Sequence, residues 1–234
     1  MENVPTYISV VFALTTFATL GLFYLAVKSS QSNKSKSLPN AVGLGLTVWL
    51  VAQAVLTLNG FYNTDTTSFP PRFVVLVFPP LLTIAMVFAT RKGRAFIDGL
   101  PLVNLMYINI VRIPVELVLY WLFLQKAVPE LMTFAGRNFD ILAGITAPFI
   151  AYYGLQRRNI GRRTILVWNV LALGLLVNIV VNALLSAPLA FQMFAFDQPN
   201  IAVLNFPFSW LPAFIVPVVL FGHVTSIRQL LRTK

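Results

Sequence analysis

Arg112 and Glu116 stand four residues apart in the apolar run Asn109-Ile-Val-Arg-Ile-Pro-Val-Glu-Leu-Val-Leu-Tyr120. On a helix that spacing puts both on one face, with Asn109 and Tyr120 beside them. A guanidinium there attracts an anionic or hydroxyl-rich group, and a desolvated carboxyl takes up and releases a proton. Insertion of an isolated Arg at the centre of a bilayer costs about 2.5–3.5 kcal/mol, so both side chains are expected to face protein or water and to have partners. Pro114 lies between them; it removes one backbone hydrogen bond and frees the Ile110 carbonyl, for which Arg112 is a candidate donor. Two readings follow: a buried ion pair that holds the kink, and a ligand, proton or ion site built on the same pair.

Other polar residues recur in apolar surroundings. Asn178 and Asn182 are again four apart, with Ser186 one turn further, and Gln53 lies at a comparable height in another segment. Amides of this kind either tie helices together, at around 0.6 kcal/mol each, or converge with Arg112 and Glu116 on an outward-facing cavity. The candidate substrate or proton site is therefore Arg112, Glu116, Asn109, Tyr120, Asn178, Asn182 and Gln53. The segment 128–140 is dense in groups able to cap a helix or bind, and Arg137, Asn138 and Asp140 are the candidate residues of an outer mouth. His223 stands near the end of the last apolar segment and could meet Asp98.

The elements that must position these groups are membrane spans. The chain is 58% hydrophobic and 10% charged, and its mean hydropathy of +0.80 leaves no room for a separate soluble domain. Seven apolar stretches, 7–27, 41–62, 73–90, 102–124, 141–155, 164–187 and 210–227, each approach the roughly 20 residues needed to cross about 30 Å of hydrocarbon. Helices are expected because backbone polar groups must be satisfied within lipid and no period-2 alternation is present. The expected fold is all-α: one seven-helix transmembrane domain over 1–234. The first segment lacks the basic start of a cleavable signal and is expected to be a retained span.

Charge placement orients the bundle. Apart from Arg72, Arg112, Lys126 and Arg137, every Lys and Arg falls in the first, third and fifth connections or the tail. The positive-inside rule then puts the amino terminus outside and the carboxyl terminus in the cytoplasm, in a multi-pass protein of the plasma membrane. The net charge of +10 thus marks span ends and contact with the lipid bilayer, with no nucleic-acid partner implied. The first connection, 28–40, is Ser-rich and reads as a solvated tether. The sixth, 188–209, has no Lys or Arg and several large apolar groups, so it is expected in the outer interface or folded over the bundle mouth.

Two stretches 137 positions apart are alike: Phe69-Pro70 with Pro80, and Phe206-Pro207 with Pro217. The spans before them share Val48-Trp49 and Val167-Trp168. Spans one to three would then repeat as five to seven, with the fourth as linker. That layout resembles the three-plus-one-plus-three architecture of SWEET-type sugar carriers, and the span count and orientation resemble rhodopsin-like receptors. The resemblance is architectural: the sequence has neither the Pro-Gln loop motif of the former nor the last-span Lys of a retinal protein.

With no Cys and His223 as the only imidazole, neither a metal centre nor a cofactor is expected. The usual catalytic motifs are missing as well, which leans against an enzyme. The favoured function is a carrier of a small polar or anionic solute, proton-coupled through Glu116. A ligand-binding or sensory bundle and a structural subunit of a membrane complex are the alternatives.

Overall fold

The computed structural model describes residues 4–30, 37–66 and 68–232, and among them every regular element is helical. Helix α1 spans Thr6–Lys28, α2 Ser37–Leu58, α3 Val74–Ala89 and α4 Arg91–Asp98. Helices α5 (Leu102–Ile108) and α6 (Arg112–Leu124) are joined by a 3-10 turn at Asn109–Val111. Helix α7 (Asp140–Phe149) continues as a π-turn over Ile150–Gln156, α8 spans Arg162–Leu185, and a π-turn at Leu211–Ile215 leads into α9 (Val216–Arg232). The tether expected over 28–40 falls in part on 31–36, outside the described residues; α2 already starts at Ser37.

Five of these segments, Thr6–Lys28, Ser37–Leu58, Leu102–Leu124, Arg162–Leu185 and Leu211–Arg232, are long and apolar enough to cross a membrane. A sixth is reached if α3 and α4 count as one, although the chain turns by 92° between them. Local chemistry makes that turn. Thr90 Oγ1 accepts the Gly93 N–H at 3.1 Å and caps α4, while Arg94 donates to the last carbonyls of α3, Phe88 O at 3.2 Å and Ala89 O at 2.6 Å. The expected span at 141–155 is the shorter combination of α7, with 10 residues, and its 7-residue π-turn.

The α5–α6 segment is the axis of the molecule, with α1 packed along it on one side and α7 on another. Ile8 and Phe12 of α1 join Leu105, Ile108, Val111 and Leu119 of the axis in one buried cluster that extends to Phe214 and Val218. One proline leaves a carbonyl that another helix uses. Pro217 has no N–H to offer Ala213 O, and the Trp49 indole donates to that oxygen at 2.9 Å. The Trp210 indole in turn donates to Leu50 O at 2.9 Å, so two tryptophans tie α2 to the start of the last helical segment.

The connections collect at two ends. At the basic end, Asp98 accepts from Arg228 at 2.8 and 3.1 Å and from Arg232 at 2.6 Å, and Gln229 donates to Ile97 O and Leu100 O. Asp98 is therefore engaged by arginines and does not meet His223. At the other end the 188–209 segment lies over the bundle: Gln198 donates to Phe123 O and Val128 O, and the Ala202 N–H to Ala127 O at 3.1 Å. Leu189, Val203 and Leu204 are buried there, while Met193 and Phe196 stay exposed. The Phe69-Pro70 and Phe206-Pro207 bonds at this end are both cis.

Two outcomes are expected. A Cβ added at Gly144 of α7 would meet Ile113 Cγ1 at 2.8 Å and Arg112 Cβ at 3.3 Å, so Gly144→Val should cost about 1–3 kcal/mol by overpacking. Gly21→Val, where an added Cβ meets nothing within 4 Å, should leave the thermal melt in detergent unchanged. The hydrogen bonds from Arg228, with help from the charges of both arginines, hold the Asp98 carboxyl below its usual range. Its contribution is complete above the ordinary Asp value of about 3.9 and is lost as pH falls through the lowered one. Melts of the wild type and Asp98→Asn should differ at neutral pH and converge in strong acid.

Candidate functional site

Arg112 is 2% exposed and donates all of its guanidinium N–H groups inside the bundle. Nε and Nη2 fork onto the two carboxylate oxygens of Asp140, with the Nε contact at 2.6 Å. Nη2 also donates to Ala172 O of α8 at 3.0 Å; Nη1 donates to Asn109 Oδ1 at 3.3 Å and to His223 Nε2 at 3.1 Å. Five donors meet five acceptors drawn from four helical segments. The guanidinium does not donate to the Ile110 carbonyl, the role expected of it beside the proline kink; its partners are the five above. The chain before Pro114 tightens into the 3-10 turn, and Asn109 bonds back to Leu105 O and Met106 O, both at 3.3 Å.

The arginine also settles the proton on the imidazole. A guanidinium has no acceptor, so His223 Nε2 must present its lone pair, and the N–H must sit on Nδ1. That N–H faces Asn169 Oδ1 at 3.1 Å, and Asn169 Nδ2 donates to Ile165 O at 2.9 Å. His223 and Asn169 are both fully buried, with the Trp168 ring 5.9 Å from the imidazole.

On the other side of Arg112 the network reaches Glu116. Asn138 donates from Nδ2 to Glu116 Oε1 and to Met132 O, and its Oδ1 accepts the Asp140 N–H at 3.0 Å, capping the start of α7. Glu116 Oε2 has no hydrogen-bond partner among the described residues; it shares that condition with the hydroxyls of Ser186 and Thr225. Glu116 is 1% exposed, so this oxygen is the open valence of an otherwise satisfied cluster.

Asp140 and Asn138 therefore lie within the bundle and not at a mouth above it. Arg112 is about 15 Å along the 102–124 segment, and Glu116 about 6 Å further, at roughly 1.5 Å per residue, which leaves about 12 Å of α6 beyond the carboxyl. The connection 125–139 descends through that depth. It satisfies its own backbone on the way: Met132 N–H donates to Pro129 O at 3.1 Å, Thr133 N–H to Glu130 O at 2.8 Å, and Gly136 and Asn138 N–H both to Thr133 O. A Cβ at Gly136 would stand 2.4 Å from Glu130 O, so only glycine allows this close a fold. Arg137 itself is exposed, and its backbone carbonyl accepts from Asn178 at 3.0 Å.

The remaining candidates stand apart from Arg112. Asn178 is on the exposed side of α8 and Asn182 donates to its Oδ1 at 3.3 Å. Gln53 belongs to a separate buried group, accepting from the Tyr62 hydroxyl, next to a Thr57–Ser209 hydroxyl contact of 2.9 Å. Tyr120 stacks on Phe134 at 4.8 Å. Asn169 escaped the sequence reading; it is one amide in a long apolar run, and its signal was its depth, about seven residues into α8, level with His223. Among the described residues no three His, Asp or Glu side chains converge as a metal would require, and no metal centre is assigned.

The structure thus defines an all-helical bundle with several helices fit to cross a membrane and an enclosed polar cluster at its axis. Residues 69–231 match the model of a family described as a domain of unknown function (DUF8737), and the chain belongs to that family. No curated protein and no solved structure matches it.

Removing one partner of the buried pair should be costly. Asp140→Asn is expected to destabilise by about 3–5 kcal/mol, because Arg112 stays charged and loses its counter-ion. The double change Arg112→Met with Asp140→Leu should recover much of that loss in thermal melts.

Proposed function

We propose that the protein is a proton-coupled carrier of a small polar or anionic solute, with the Arg112–Asp140–Glu116 cluster as its coupling centre. The observation that carries it is Glu116 Oε2, buried and without a partner one amide away from a guanidinium already committed to Asp140. Charge counting gives the mechanism. One cation faces two carboxyl groups, so a proton on Glu116 makes the cluster neutral and its departure leaves one net negative charge in low dielectric. Each change alters the competition for Arg112. An anionic solute would take the fork that Asp140 now occupies, and the released Asp140 carboxylate would need a proton in exchange.

Around this centre we place seven crossings, with α3 and the α7 segment as the two short ones. The amino terminus lies outside and the basic end in the cytoplasm, in the plasma membrane, as the arginine and lysine distribution favours. A three-plus-one-plus-three duplication has structural support: α1 and α7 both pack on the α5–α6 axis, and Pro80 and Pro217 line the same cleft.

A structural subunit is the second reading, favoured by the complete satisfaction of Arg112. The two differ in what Glu116 does. Purified protein in proteoliposomes, given an inward proton gradient and a panel of small organic anions and polyols, is expected to take up one class of solute. Glu116→Gln should reduce that uptake at least tenfold while the melt stays close to wild type. Difference infrared spectra across a pH titration should show a carboxylic-acid C=O band that the variant lacks. Equal uptake in wild type, Glu116→Gln and Arg112→Ala would overturn the carrier and leave the structural tie.

A further inference from the structure

A cleft of about 410 Å³ separates α2 from α3 at the basic half of the molecule. Its floor is Phe214 and Phe221 of the last helical segment; Gly45 and Trp49 form one wall, Pro80 and Val87 the other. Among its lining residues Trp49 donates to Ala213 O at 2.9 Å, joining one wall to the floor. At Gly45 an added Cβ would meet nothing within 4 Å, so the space beside α2 is real and open. Its size falls within the roughly 300–1,000 Å³ of small-ligand sites, yet its walls offer almost nothing to a polar solute.

The open end carries charge. Phe96 of α4 lines the cleft, and Lys92, one turn earlier, lies on the same face of that helix. Lys92 and its neighbour Arg91 are exposed, and Lys28 ends α1 five residues after Phe23, another lining residue. The nearby carboxylate does not neutralise them, since Asp98 is held by Arg228 and Arg232. The chain turns by 92° between α3 and α4, so the basic start of α4 sits where α3, one of the apolar segments, ends; cations at the end of an apolar segment are where anionic lipid headgroups are attracted.

We propose that this cleft is a site for one anionic phospholipid, with an acyl chain between α2 and α3 and its phosphate on Lys92 and Arg91. An apolar slot beside Lys92 and Arg91, exposed cations with no ion pair among the described residues, matches that amphiphile and neither a soluble anion nor a neutral lipid. The site stands whether or not a solute moves through the bundle.

Native mass spectrometry of the full chain released from detergent with phosphatidylglycerol or phosphatidylcholine tests it. Wild type is expected to keep one phosphatidylglycerol with at least a fivefold preference. Lys92→Gln with Arg91→Gln, both exposed side chains, should abolish the preference while leaving helicity and melting unchanged. Gly45→Phe should remove the retained lipid of either kind. Equal retention of the two lipids by wild type, or a preference that survives the double change, would overturn the proposal. So would a preference lost instead in Arg157→Gln with Arg158→Gln.

Discussion

A guanidinium taken out of water needs five acceptors, and the bundle is arranged so that Arg112 finds them. Asp140 supplies two, and Asn109, His223 and the Ala172 carbonyl supply one each. Each acceptor imposes a condition on its own element. Helix α7 must approach to the distance that Gly144 permits, and the connection before it must sink far enough for α7 to begin at Arg112's level. The axis must tighten into a 3-10 turn that aims Asn109, and His223 must carry its proton on the nitrogen facing Asn169.

The same low dielectric governs the backbone. Where Pro217 interrupts the last helical segment, the carbonyl it releases, Ala213 O, is taken by a donor from another helix, the Trp49 indole. Where the chain is irregular at depth, between residues 125 and 139, it bonds to itself, and its start at Ala127 and Val128 is tied to the 188–209 segment. Against this background, one open carboxyl oxygen and one apolar cleft near the exposed Lys92 and Arg91 stand out as places with chemistry left over.

Arg112 and Glu116 were readable in the sequence because charge inside an apolar run is expensive whatever surrounds it. Their partners were harder. Asn138 and Asp140 lie where a hydropathy boundary ends a span, and residue counting placed them at the mouth; the descent of the connection depends on backbone bonds that composition does not encode. Asn178 and Asn182 share a helical face by spacing alone, but whether that face looks inward is a matter of how α8 packs, and it looks outward at Asn178. Asn169 resembled any isolated amide until His223 was found beside it.

The sequence by itself determined an all-helical chain with long apolar segments and with its basic residues gathered in alternate connections, since the cost of burying charge and unpaired peptide groups acts locally. It also determined that Arg112 must be partnered. Which residues partner it, which amides stay away, and where a cleft opens were decided by tertiary structure. Those outcomes depend on helix rotation, on close approach at Gly144 and Gly136, and on the depth reached by one connection. These are distances between segments far apart in the chain, and no local free energy specifies them.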